Sequence, residues 1–183
     1  KTTLFNIISG FMESDKGHII YNGNSKPIKI NELKPFQITR LGIGRMFQKS
    51  HIFPSMTVLE NMMIADENQF GENPFQALFN IKKDKKIESQ RQEEAYAIFQ
   101  ELFGDNNKFW KKRNQRAGAF SYGEQRLLGL ARLFMGDYKL VLLDEPTSGV
   151  NPKFIRNILR IIRRMVEEKQ VTTLLIEHNM KVV

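Results

Sequence analysis

KLVLLDEP, residues 139–146, decides how the rest of the chain is read. Four consecutive apolar residues, Leu140 to Leu143, run into two carboxylates and a proline. A short unbroken apolar run of this kind fits a strand buried on both faces, and its polar end marks where the strand leaves the core. Before it, SYGEQRLLGLARLFMG (121–136) spaces its apolar residues as a helix does. Ser121 with Glu124 three residues on supplies the capping-box start. After it, Pro152 opens a second helical pattern over 152–169, and TTLLIEH (172–178) follows as a second apolar strand. Two such strands joined by a helix predict a parallel sheet covered on both faces. Each strand ends in polar residues, Asp144-Glu145 and Glu177-His178. In open parallel sheets ligands bind at the carboxyl ends of the strands, so the chemistry is expected along that edge.

Working towards the N-terminus, TLFNIIS (3–9) suits a first helix with Gly10 as its C-cap. GHIIY and KPIKI, within 17–30, read as two short strands split by the turn residues Asn22-Gly23-Asn24. Pro35 opens a helix to about Leu41, and IGRMF (43–47) reads as a strand ending at Gln48. From Thr57 to about Gly118 the pattern is helical, polar and rich in charge, with loops near 70–76 and 104–108. The expected organisation is therefore a core from 1–56 and 119–183, with a helical subdomain at 57–118 leading into the helix that starts at Ser121.

Apolar residues make up 41% of the 183 and charged residues 26%, the balance of a folded globular chain rather than a disordered one. Cysteine is absent, which excludes disulfides and thiolate metal sites. His18, His51 and His178 are far apart and show no metal-ligand spacing. No run approaches the ~18–20 apolar residues that cross a bilayer. The net charge of +8, with basic runs at 82–86, 111–116 and 160–164, suits nucleic acid, an anionic membrane surface or a nucleotide, and does not choose among them. The start at Lys1 and the finish in EHNMKVV read as a piece of a longer protein.

Several residues carry phosphate chemistry. Lys1-Thr2-Thr3 opens a helix as the end of a P-loop does, where lysine reaches the β- and γ-phosphates and the hydroxyl binds Mg²⁺; the loop's glycines would precede residue 1. Asp144 at a strand end suits Mg²⁺, through water, opposite the Thr2 hydroxyl. Glu145 beside it suits a general base for water attacking the γ-phosphate. Two carboxylates there also suit a helix cap, although Pro146, Pro152 and the intervening TSGVN make a long turn. The Gln48 amide can ligate Mg²⁺ and orient water. A neutral His178 can bond the γ-phosphate and hold that water.

KTT, RMFQ, FSYGEQR, LVLLDEPTSGVNP and LLIEH stand in the order and approximate spacing of ABC-type ATP-binding domains, and the chain resembles that family over essentially its whole length. The resemblance implies an α/β fold: a P-loop NTPase (RecA-like) parallel-sheet core, a small antiparallel β portion and a helical subdomain. It makes Lys1, Thr2 and Thr3 the end of Walker A, Gln48 the Q-loop glutamine, and Asp144 and Glu145 the Walker B aspartate and catalytic glutamate. SGVN (148–151) is then the D-loop and His178 the switch histidine. FSYGE takes the place of the family signature, usually LSGGQ; Phe120, Tyr122 and Glu124 depart from it, while Ser121 and Gly123 are kept. Asn151 stands where many members have Asp. The signature, the GxNP of the D-loop, RMFQ…FPSMTVLENMMIA and LLIEHNMKVV are similar to the ATPase subunits of branched-chain amino acid importers.

That resemblance implies ATP and Mg²⁺ as cofactors. Catalysis falls to Glu145, His178 and Gln48, the metal to Thr2, Gln48 and Asp144, and the nucleotide to Lys1, Thr2, Thr3, Ser121, Gly123 and Glu124. The partners implied are a second ATP-binding subunit arranged head to tail, transmembrane permease subunits and, through them, a solute-binding protein, at the cytoplasmic face of the cell membrane. KSHIFPSM (49–56), partly apolar, suits a loop docking on the permease. No nucleic-acid partner is expected. Urea or amide importers of the same lineage, and ABC ATPases acting on nucleic acid or the ribosome, are the alternatives.

Overall fold

The computed structural model describes residues 1–23, 26–47, 52–64, 81–103 and 108–178, the side chains of 81–88, 101–103 and 108 excepted. Gln48 and the expected loop near 70–76 lie outside the described residues, as do 104–107 of the second loop. The chain divides into two compact units, Lys1–His51 with Asp137–Val183, and Ile52–Gly136.

In the first unit, helix α1 (Thr2–Ile8) is followed by strands β1 (Ile20–Tyr21) and β2 (Ile28–Lys29), helix α2 (Pro35–Arg40) and strand β3 (Ile43–Met46). β1 and β2 pair antiparallel, Ile20 opposite Lys29. α1 stops where Gly10 takes φ +73°, a left-handed conformation that favours glycine. The Gly10 N–H then reaches the Ile7 carbonyl and the Phe11 N–H the Asn6 carbonyl, the Schellman arrangement that satisfies the last turn. Phe5 projects from α1 into a core with Ile30, Ile38, Ile43, Leu142 and Ile176.

The large sheet is parallel in the order β3-β4-β5, with β4 at Leu140–Asp144 and β5 at Thr172–Ile176. Its register places Gly44 opposite Val141, and Asp144 opposite Ile176. β4 is the middle strand, so Val141 through Asp144 are all buried, as the apolar run requires. β5 corrects the expectation of two doubly covered strands. Among the described residues it pairs only with β4, and Leu174 and Leu175 remain 41% and 36% exposed. An apolar run therefore identified the strand but not its burial.

Between β4 and β5 runs the helix of Pro152–Glu167, which packs on β5. Ile158, Ile161 and Met165 form its buried stripe at helical spacing. Asn151 is its N-cap, accepting from the Lys153 N–H at 3.1 Å, with Pro152 at the first position. Asparagine caps as well as the aspartate more common there, so this departure costs the local fold nothing.

The second unit holds α3 (Val58–Met63), α4 (Ile81–Phe103), α5 (Lys108–Lys111), a 3₁₀ turn at Ala117–Ala119 and α6 (Tyr122–Met135); the β4–β5 helix is then α7. The unit extends past the expected boundary at 118, because α6 packs on α3 and α4. Phe99, Phe109 and Phe120 stack in series, with ring centroids 6.0 and 5.6 Å apart. Asn61 is fully buried yet satisfied: it accepts from the Phe53 N–H and donates to the Phe53 and Thr57 carbonyls, tying down the approach to α3. Among the described residues no helix is long and apolar enough to cross a membrane.

Candidate functional site

β4 delivers Asp144 to the end of the sheet at 2% exposure. Its neighbour β3 supplies Arg45, whose side chain is 6% exposed and whose Nη2 lies 3.6 Å from Asp144 Oδ2. That separation is an ion pair, too long for a hydrogen bond. The guanidinium donates instead to Ser9 Oγ at 2.6 Å, and Ser9 in turn donates to the Phe5 carbonyl at 2.5 Å. Arg45 also lies over the ring of Phe47, 4.3 Å from its centroid. Burial pushes the Arg45 guanidinium below its ordinary value, and the charge of Asp144 works against that shift. Asp144, at the end of β4, is thus linked through Arg45 to the last turn of α1.

Glu145 turns the chain off the sheet with φ +47°, a conformation that side-chain-bearing residues adopt at a cost of about 1–2 kcal/mol. Both of its backbone groups are held: its N–H donates to the Ile176 carbonyl at 2.9 Å, and its carbonyl accepts from the Ser148 N–H at 3.1 Å. Strain of this kind collects at functional sites. The turn brings Glu145 Oε1 to 3.1 Å from His178 Nε2. Sequence reasoning paired these two residues by role, and the structure brings them into contact.

Sequence reasoning missed Arg45 and Glu177. Arg45 was legible only as a charge inside the otherwise apolar IGRMF. Glu177 was visible as one of the polar residues closing β5. Its Oε1 accepts both the N–H and the hydroxyl of Thr147, and its Oε2 accepts from the His178 N–H at 2.9 Å.

The remaining expected residues are dispersed. Lys1, Thr2 and Thr3 form the exposed start of α1, with Lys1 at the N-cap. Gln48 lies outside the described residues. In the second unit Ser121 is the N-cap of α6, and Glu124 Oε2 accepts from both its N–H (2.9 Å) and its hydroxyl (2.6 Å). The hydroxyl expected to donate to phosphate is engaged within the cap. Gly123 is buried in the first turn. Tyr122, which had no physical explanation in the sequence, is 43% exposed and lies over the buried Arg126, 5.5 Å from guanidinium carbon to ring centroid.

Magnesium takes hard oxygen donors, commonly one or two carboxylates with water and phosphate completing the shell. Asp144 fits: Oδ2 is buried and accepts no hydrogen bond. Among the described residues no three carboxylate or imidazole groups gather into a protein-only metal site.

The parallel sheet carrying acidic and imidazole groups at its strand ends, together with a helical unit, has the fold of the ATP-binding cassettes it resembles among solved structures. The chain belongs to the ABC transporter family, whose profile matches residues 1–148. It is 34% identical to the high-affinity branched-chain amino acid transport ATP-binding protein BraF of Pseudomonas aeruginosa, over all of this chain and 68% of that protein. It is 37% identical to a probable branched-chain amino acid transport ATP-binding protein, LivG, of Archaeoglobus fulgidus, over all of this chain and 66% of that one. Among solved structures it resembles an ATP-binding cassette of an ABC transporter in its ADP conformation. There the identity is 31%, the TM-score 0.71, and the coverage 100% of this chain and 67% of that one.

Proposed function

We propose that this chain is the ATP-binding and hydrolysing subunit of an ABC importer for amino acids, branched-chain ones above all, and that ATP-driven closure of two such subunits powers uptake. The observation that carries the catalytic reading is the Glu145–His178 contact beside a buried Asp144. Glu145 takes the proton of the attacking water, and His178 holds the γ-phosphate and that water in line. Lys1 and Thr3 meet the phosphates at the start of α1. Thr2, Gln48 and Asp144 would hold Mg²⁺, which supplies charge neutralisation on the phosphate oxygens.

Ser121, Gly123 and Glu124 serve the nucleotide bound by a second subunit arranged head to tail. For that, the Ser121 hydroxyl exchanges Glu124 for a phosphate oxygen, a trade favoured by the partial positive charge of the α6 N-terminus. The exposed Phe53, in the 49–56 segment, faces permease subunits at the cytoplasmic side of the membrane, with a solute-binding protein beyond them. The test is Glu145→Gln in the complete protein. ATP binding is retained, turnover stalls and a dimer accumulates; normal turnover would remove Glu145 from the base role.

A further inference from the structure

We propose that Glu177 is a positioning residue that sets the Glu145–His178 contact by clamping the turn after β4 to the end of β5. This inference rests on the proposed roles of Glu145 and His178. The His178 side chain is 67% exposed, so packing does not hold the imidazole in place. Its position follows from its backbone, and the Glu177 carboxylate accepts from that backbone N–H at 2.9 Å. The other oxygen of the same carboxylate accepts the Thr147 N–H at 3.2 Å and the Thr147 hydroxyl. Thr147 is 5% exposed, and its N–H and hydroxyl, buried with it, depend on that oxygen.

One side chain therefore ties the backbone of His178 to the turn that carries Glu145. The turn of residues 145–148 is tied to β5 at two points, the Glu145 N–H on the Ile176 carbonyl and Thr147 on Glu177. The first tie alone is a hinge, about which the Glu145 side chain can swing away from His178. With both ties the turn has one orientation, which is the condition for keeping a strained φ of +47° at Glu145. Glu177 acts on the reaction through Thr147 and His178.

The experiment is steady-state ATP hydrolysis by the complete protein, with thermal unfolding measured alongside. Glu177→Ala lowers kcat about 10- to 100-fold, the scale of a small misplacement of a catalytic group. It leaves KM for ATP within about twofold, because uniform nucleotide binding is untouched. Glu177→Gln recovers only part of kcat, since its amide oxygen still accepts from Thr147 while its NH₂ cannot accept from the His178 N–H. Thr147→Val lowers kcat in the same direction, and the double variant Thr147→Val/Glu177→Ala is no slower than Glu177→Ala alone. If Glu177→Ala does not fold, Thr147→Val carries the test by itself. A Glu177→Ala or Thr147→Val enzyme that is less stable but retains wild-type kcat overturns the positioning role. So does a loss in KM alone. If Glu145→Gln still turns over, it is the underlying catalytic assignment that fails instead.

Discussion

Replacing Arg45 with methionine removes a buried charge while keeping most of the side chain's bulk against Phe5 and Phe47. Three contacts change. The first is the ion pair with Asp144, whose two side chains are 6% and 2% exposed. Deleting one partner of such a pair leaves the other charge buried without compensation, at a cost of about 3–5 kcal/mol. The second is the hydrogen bond to Ser9 Oγ. Its loss adds little, because Ser9 still donates to the Phe5 carbonyl. The third is the guanidinium stacked over Phe47 at 4.3 Å, where the methionine thioether makes a comparable contact with the ring. The ion pair therefore dominates, and the expected loss is about 3–5 kcal/mol, or about 6–20 °C in Tm for a chain of this size.

The assay must report the right unit. Trp110, the chain's single tryptophan, lies in the helical unit, so its fluorescence follows the wrong part of the molecule. Amide exchange at Val141–Asp144 in β4 reads the perturbed unit directly. The double variant Arg45→Met/Asp144→Asn separates causes. If an uncompensated carboxylate is responsible, removing it recovers about 2 kcal/mol or more of the loss. A cost below about 1 kcal/mol for Arg45→Met, or simple additivity in the double variant, would refute the buried-charge account.

Gly10→Ala places a Cβ 2.9 Å from the Leu33 carbonyl oxygen at φ +73°, so a loss of about 2–4 kcal/mol is expected in denaturant unfolding, and a loss under about 0.5 would show that the α1–α2 junction yields. At the start of α3, Glu60 accepts from the Thr57 N–H and its pKa is lowered, first by that bond and then by the Thr57 side chain. Because the folded value is depressed, the cap contributes fully above the ordinary glutamate value of 4.5 and fades as pH falls through the depressed one. Exchange of the Thr57 amide, corrected for intrinsic rate, should accelerate over that range in the wild type and stay flat in Glu60→Gln; equal slopes in both would count against the cap.

The elements that sequence reasoning located well are those whose physics is local. The apolar run of β4, the Gly10 stop, the Pro35 and Pro152 helix starts and the Ser121–Glu124 pair each depend on neighbours within a turn of the chain. The placement of the candidate site residues was legible because a strand end is also local: Asp144 closes β4, Glu145 follows it, and His178 stands just past β5. The expectation of a doubly covered β5 failed because coverage belongs to the sheet. The same LL dipeptide is buried in the middle strand as Leu142-Leu143 and exposed as Leu174-Leu175 at the end of the strand order. The boundary of the helical unit moved for a similar reason, since α6 follows what it packs on and not the motif it begins with.

By itself, then, the sequence determined the residue types available for phosphate chemistry and the order of strands and helices that carries them, since both follow from side-chain identity and short-range periodicity. Only the tertiary structure decided which groups meet. Arg45 reaches Asp144 because β3 and β4 pair in parallel with Arg45 opposite Leu142, and Glu177 reaches Thr147, thirty residues away in the chain, because β4 and β5 end level. Those encounters are set by strand register, which depends on distant residues closing one core, and no local pattern around Arg45 or Glu177 encodes it.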